Sequence, residues 1–522
     1  MSPNADTIVQ ELHAEFESML SYVKASHTAT ADEMERGLFR RLLSLGARLM
    51  LLFFALRTGQ ALRSEHQMAS GVRVPYVGER RRQYFSIFGK LAFWRPYFYR
   101  GGSGGATPLD QELALGDDCY SDLVRELAGY FGVGSTYAKV AECFAHILGL
   151  HLSTQALSDV VTEDAVDVEA FYAQQAPPPP ASTASMLVIQ ADGKGVPMVR
   201  VTPATPKVRL GKGDKHSRKK EAIVTGIYTL VPQVRTPTTV VANLFHPKAA
   251  SDTTAPRAQA PSGPQAKRLW ATLDGKDAAL ERLVQQAAKY EGPHIQHRVA
   301  LTDGAEALQN RVQAHFPTFT LVLDFIHANE KLWSAANALF GETAPQRTPW
   351  VETQTLAMLE GRTAQVISTL RQFATAPAVT TGQQAALTKA ANYFERNAAY
   401  MHYDQYLANG WPIASGVIEG ACRHLVKDRC ELSGMRWTQA GAENLLRLRA
   451  VVENGDWSAY QRFHQEQRHQ RLYRVPRPVH ALPESQTLAD ADLLTKPLPV
   501  QRPFIMPIIV PPRSAHQRKR AA

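Results

Sequence analysis

The sequence has little cysteine, no long apolar run and no internal repeat, and each shortage excludes a class of protein. Four cysteines stand among 522 residues, at Cys119, Cys143, Cys422 and Cys430. They are too scattered for a disulfide framework and lack the CxxC spacing of a zinc site. A reducing, cytoplasmic setting is therefore expected. The N-terminal stretch MSPNADTIVQELHAEFESML is polar and acidic, without the pattern of a signal peptide. The most apolar run, Leu49 to Leu56, lies between Arg48 and Arg57 and is far shorter than the roughly 20 residues that cross a bilayer. No membrane role is expected from it. Charge of one sign is not strongly in excess. Lys plus Arg is 58 against 48 for Asp plus Glu, a net +10, a mild pointer to a polyanionic partner that any basic soluble protein shares.

What is present divides the chain into several segments, the length allowing about three or four domains. Residues 1–70 read as two helices. In the second, Phe39, Leu42, Leu43, Gly46, Leu49, Met50 and Phe53 recur at helical spacing and form an apolar face. Residues 71–176 begin with a β-branched and aromatic stretch, 72–100, which predicts a hairpin turning at Gly89 and Lys90. Arg80, Arg81 and Arg82 beside aromatic residues there fit either a nucleic-acid face or a solvated edge. Four glycines between 101 and 105 suggest a flexible joint. STYAKVAECFAHILGLHLSTQALSDVV then has helix-turn-helix form, with Gly149 at the turn and Ser153 as N-cap. Such a pair can read a major groove, and it is equally common in ordinary helical bundles.

The prolines from Pro177 mark a boundary. Beyond it, 185–329 is rich in strand patterns: SMLVIQADGKG, KKEAIVTGIYTL, TTVVANLF, HRVALTDG and FTLVLDF, with helices expected around 266–290. Residues 330–410 read as entirely helical, and 411–455 as a last helical segment. From 475 the chain is Pro-rich with a basic end, RSAHQRKRAA, a composition expected to be disordered.

Two strands run into Asp-Gly, at Asp192 and Asp303, where an α/β sheet places ligands beyond its strand tips. A single aspartate of this kind is usually a turn or cap. Glu419 adds a third carboxylate, in a helix opened by Ser415 and Gly416, where the helix dipole alone also favours an acid. Carboxylates converging from separate elements hold hard divalent cations, and two such ions promote in-line phosphoryl displacement.

In this order the motifs resemble a family. Asp192-Gly193-Lys194, Asp303-Gly304, Asp324-x-x-His327 and Ser415-Gly416-x-x-Glu419, with KDRCELSGMRW behind, are similar to the DDE transposases of bacterial insertion sequences. The ISKra-type and Mutator-like groups are the nearest in pattern. The resemblance covers about 185–455. It implies an α/β RNase H-like core, a mixed sheet with flanking helices interrupted by an all-helical insertion and preceded by a mainly helical DNA-binding region. It implies that Asp192, Asp303 and Glu419 hold Mg²⁺, with Mn²⁺ as substitute, and that the protein oligomerises on transposon ends and target DNA. Asp324 is assigned to positioning. His327 is either a group that contacts the scissile phosphate and moves a proton, or a cap of the helix start. Lys194, Lys219, Lys220, Lys427, Arg429 and Arg436 would reach DNA, as would Lys212, Lys215 and Arg218 unless they form a solvated loop. Trp437 would pack or wedge between bases. Members of the group carry cysteine pairs where this chain has 84–100, so no zinc is expected here. Two rivals are a DNA-binding protein of the same fold without catalysis, and an RNase H-type nuclease without transposition.

Overall fold

In the computed structural model the described residues are 4–179, 184–199, 219–246, 263–377 and 379–478. Lys212, Lys215, Arg218 and the tail from 479 lie outside them. Helices α1 (Ala5–Ala25) and α2 (Ala31–Ala61) form an antiparallel pair, α2 opened by a Thr30/Glu33 capping box. A four-stranded antiparallel sheet follows: β1 (Glu65–Gln67), β2 (Arg73–Ser86), β3 (Gly89–Arg100) and β4 (Gly104–Ala106). Ser86 pairs with Gly89, so the turn residues are Ile87 and Phe88 rather than Gly89 and Lys90. The glycine-rich stretch is not a joint either: Gly102 and Gly104 take positive φ, and the chain returns as β4 against β3. Phe54 of α2 stacks on Phe93 of this sheet at 4.0 Å, so the hairpin closes a small core with α2.

After α3 (Pro108–Glu112) come α4 (Asp122–Gly134), α5 (Tyr137–Leu148), α6 (Thr154–Asp164) and α7 (Val168–Gln174). The α5–α6 pair has the expected turn. Gly149 is left-handed at φ 64°, and the Ser153 side chain accepts from Ala156 N at 3.0 Å. The outer side of α6 presents Thr154, Gln155, Asp159 and Thr162, with no lysine or arginine. Its inner side packs against α4 and a later helix.

The second sheet has five strands: β5 (Met186–Pro197), β6 (Lys219–Leu230), β7 (Gln265–Thr272), β8 (His297–Thr302) and β9 (Thr320–Leu323). Its order is β7-β6-β5-β8-β9. The first three pair antiparallel, whereas β5–β8 and β8–β9 are parallel. One strand expectation and one helix expectation are corrected. TTVVANLF lies in a helix, α8 (Pro237–Phe245), because Thr236 caps it and Pro237 sits at its first position. The stretch expected to begin a helix at 266 is instead β7, and the helix proper is α9 (Lys276–Ala287).

Helix α10 (Glu306–His315) joins β8 to β9. The helical region then follows as expected: α11 (Phe325–Phe340), α12 (Arg347–Leu359), α13 (Thr363–Ala374), α14 (Thr381–Asn397) and α15 (Tyr403–Ala408). It covers one face of the sheet, burying Met186, Val188, Val299 and Leu301. The last elements are α16 (Gly416–Ala421), a π-helical turn (Cys422–Lys427), α17 (Asp428–Cys430), α18 (Gln439–Glu453) and α19 (Trp457–Tyr473). Helix α18 covers the other face, with α9, over Leu187, Ile189 and Ala191. It also ties the β7 edge: buried Glu443 accepts from Leu273 N at 2.6 Å, and Asn454 Oδ1 from Leu269 N at 2.8 Å. An edge so occupied cannot recruit another strand. Residues from the N-terminus to Pro476 form one compact unit, so the expected segment boundaries are not breaks in packing.

Candidate metal centre

The strand register brings the aspartates together. Gln190 pairs with Leu301 and Thr302 with Leu323. Continued past the tips, this register sets Asp192, Asp303 and Asp324 side by side across β5, β8 and β9. Side chains alternate along a strand. Val188 and Leu301 face the helical insertion, so Asp192 and Asp303 point to that side as well. One detail differs from the sequence reading. The first strand does not end at Asp192: β5 runs on to Pro197, and Asp192 and Gly193 remain paired with Val224 and Ile223.

Glu419 arrives from α16, which two contacts dock onto the sheet. Ile418 N donates to Gln190 Oε1 at 3.0 Å, and Cys422 Sγ to Asp192 Oδ2 at 3.3 Å. Residues 419 and 422 share a helix face, so the cysteine that touches Asp192 carries Glu419 toward the same place. The π-helical turn begins at Cys422, a local widening that recurs at functional sites. Ligand atoms of Asp324, His327 and Glu419 lie within 4.8 Å of one another, a group that can hold a metal ion; of the expected ligands it contains Glu419 but neither Asp192 nor Asp303, and it adds Asp324, which was expected only to position.

The members of this group differ in how free they are. Asp324 is fully buried, and both its oxygens are engaged: Oδ1 caps α11 by accepting from His327 N at 3.0 Å, and Oδ2 accepts from Ser415 N at 2.6 Å. Burial opposes its charge, but the bonds from His327 and Ser415 keep its carboxyl below the ordinary range. Asp324 thus fastens the start of α16 to the sheet. Asp324→Ala should leave Ser415 N–H buried without an acceptor and cost about 2–3 kcal/mol of stability. Urea unfolding of the variant against wild type measures this, and an unchanged midpoint would remove Asp324 from that role.

Glu419 is exposed. Asp303 is half-buried, with Oδ1 accepting from Ala305 N at 2.9 Å. Burial raises the Asp192 carboxyl, and the nearby Asp303 charge adds to the rise, which is the repulsion that a bound cation relieves. His327 Nδ1 stands 3.5 Å from Asp324 Oδ1, an ion-pair contact that raises the imidazole to about 9.

The basic residues separate into surface and interior. Lys427 and Arg436 are exposed, and Lys194 and Lys220 half-buried. Lys219 pairs with Glu431. Arg429 is not on the surface. It is 1% exposed, donates to Gly132 O at 3.1 and 3.2 Å, and lies 4.9 Å over the Trp437 ring. Trp437 itself packs edge-on to Tyr137 and donates to Cys430 O at 3.1 Å. Its neighbours are protein groups.

Sequence reasoning missed several residues around the acids. Arg423 is exposed one turn beyond Glu419 on α16 and its continuation, a spacing legible in advance. Cys422 and Gln190 dock that helix. From the insertion, Tyr393 Oη donates to Asp303 O at 3.1 Å and Arg396 to Gly304 O at 2.6 Å. No local signal announces those two contacts. No protein-family model matches the chain, and no curated protein matches it significantly.

Proposed function

We propose that the chain is a DNA transposase with an RNase H-like core, in which Asp192, Asp303 and Glu419 hold two divalent ions for strand cleavage and strand transfer. The observation that carries this reading is the strand register that sets Asp192 beside Asp303 on two adjacent parallel strands, next to the group that Glu419 forms with Asp324 and His327. The sheet order, its mix of antiparallel and parallel pairs, and the helical insertion between Asp303 and Glu419 support it. Bound ions supply a lowered pKa for the attacking oxygen and charge neutralisation at the phosphate. The protein side is positioning. Asp324 and Gln190 hold the Glu419 helix, and Tyr393 and Arg396 hold the Asp303 turn. His327 stands beside the acids, where its ring N–H can donate to a phosphate oxygen. Exposed Arg423 and Lys427 continue from Glu419 as a ridge for the DNA backbone.

Purified protein with labelled element-end duplex and Mg²⁺ or Mn²⁺ should nick at the element end, and with Ca²⁺ should bind only. Binding without cleavage under every metal would favour a non-catalytic DNA-binding protein. His327→Ala should keep end binding and lose about 2–3 kcal/mol of transition-state stabilisation. Single-turnover cleavage rates decide this, and a wild-type rate in the folded variant would reduce His327 to a helix-start residue.

A further inference from the structure

The α1–α2 pair carries an apolar surface that the rest of the described fold leaves open. Leu42, Leu49, Phe53 and Leu56 of α2 are 43–53% exposed, and Phe16 of α1 is 51% exposed. In the most apolar 18-residue window of α2 only 11% is buried. By length and composition α2 is also the one described helix able to cross a membrane, which the short run at Leu49–Leu56 did not reveal.

Contacts between the two helices fix where this surface lies. Tyr22 sits at Gly37, Ser18 at Arg41 and Glu11 at Arg48. One residue beyond each contact position, an antiparallel pair turns both helices to the same side. Val23, Leu42 and Leu49 hold those positions, as does Phe16 beyond Glu15, which also pairs with Arg48; Val9, Leu20 and Phe53 follow them at helical spacing on the same side. The small core with β3 is built from other positions of α2, including Phe54 and Ala61. Along α2 the apolar positions 39, 42, 46, 49, 53 and 56 step by three and four residues, the spacing of knobs-into-holes packing. At Gly46 the ring of Phe88 fills the place of the missing side chain.

We infer that this face binds a second copy of the chain, forming an antiparallel four-helix bundle about a two-fold axis along the helix pair. Such an axis lays α1 of each copy on α2 of the other at unchanged height. The contacts above then set Leu20 level with Phe39, and Phe16 and Val9 within one residue of Leu42 and Leu49, all apolar on both sides. The surface matches itself, as a two-fold interface requires. Eight or so half-exposed side chains give roughly 700 Å² per copy, close to the ~800 Å² per partner of a stable complex. A lipid surface fits less well. Helices α1 and α2 together carry seven acids against six basic residues, without the excess of lysine and arginine that helices lying on membranes present. The inference does not rest on the metal centre.

Sedimentation of the full chain without DNA should give a concentration-dependent dimer. Leu42→Glu and Phe16→Lys, each at an exposed position, should be folded by circular dichroism and monomeric at tenfold higher concentration. Combined, the two should restore the dimer, because each new lysine then meets the partner's new glutamate. Misfolding would not be rescued in this way. A wild-type monomer at all concentrations, or a dimer indifferent to Leu42→Glu, would overturn the inference. So would flotation of the wild-type protein with phosphatidylcholine–phosphatidylglycerol vesicles as a monomer.

Discussion

Glu419→Gln should lower metal-dependent DNA cleavage by about a thousandfold or more, equivalent to about 4 kcal/mol of transition-state stabilisation, while the protein folds and binds DNA normally. The side chain is exposed and takes no part in the packing that buries Ile418 and Ala421 beside it. Its loss therefore has little structural effect. Asp192→Asn and Asp303→Asn should match it in cleavage. In Asp192→Asn the fold should be preserved or slightly more stable without metal, since burial and Asp303 both act against the Asp192 charge. Single-turnover cleavage of labelled end DNA, with a parallel binding assay, measures both. Wild-type cleavage by Glu419→Gln would sink the three-acid assignment.

The largest stability effect is expected far from those acids, at His464. This residue is 1% exposed on α19, with Nδ1 2.7 Å from Asp167 and Nε2 3.4 Å from Asp164. Burial works against its charge, but the two carboxylates outweigh burial and raise its pKa. Removing it leaves Asp164 buried with less compensation, so His464→Ala should cost about 3–5 kcal/mol. The pH dependence follows from the sign of the shift. A raised folded pKa adds stability that is complete below the ordinary histidine value and is lost as pH climbs through the folded value. The gap between wild type and variant in urea midpoint should therefore narrow at alkaline pH. A gap of under about 1 kcal/mol at pH 6 would show that Asp164 and Asp167 are sufficiently held by Arg125 and Arg471.

Much of this could be read in advance, and the failures have local causes. The Asp303-Gly304 strand end, the Ser415 helix start and the Gly149 turn are short-range signals, and each is found where the sequence puts it, whereas Asp192-Gly193 lies inside β5 rather than at its end. TTVVANLF misled because β-branched residues favour strands, whereas the Thr-Pro start outweighed that preference. The β7 strand was hidden because Lys267 and Arg268 interrupt its alternation before the buried Leu269–Ala271 run. Arg429 misled for a different reason. Arginine is normally solvated, and its acceptor, the Gly132 carbonyl, is 297 residues away. The role of Asp324 as a latch for α16 likewise depends on a partner 91 residues distant. Contacts of that span leave no trace in a local pattern.

The contact between Cys422 and Asp192 joins residues 230 apart, and that distance sets an order of events during synthesis. Strands β5 to β9 can pair as soon as they emerge, while Glu419 and the covering helix α18 are still to be made. Until then the sheet lacks a carboxylate and one buried face. A chain interrupted before about residue 455 would thus be prone to associate through that uncovered face, and the acid cluster and its covering helix are complete only once nearly all of the compact unit has been translated.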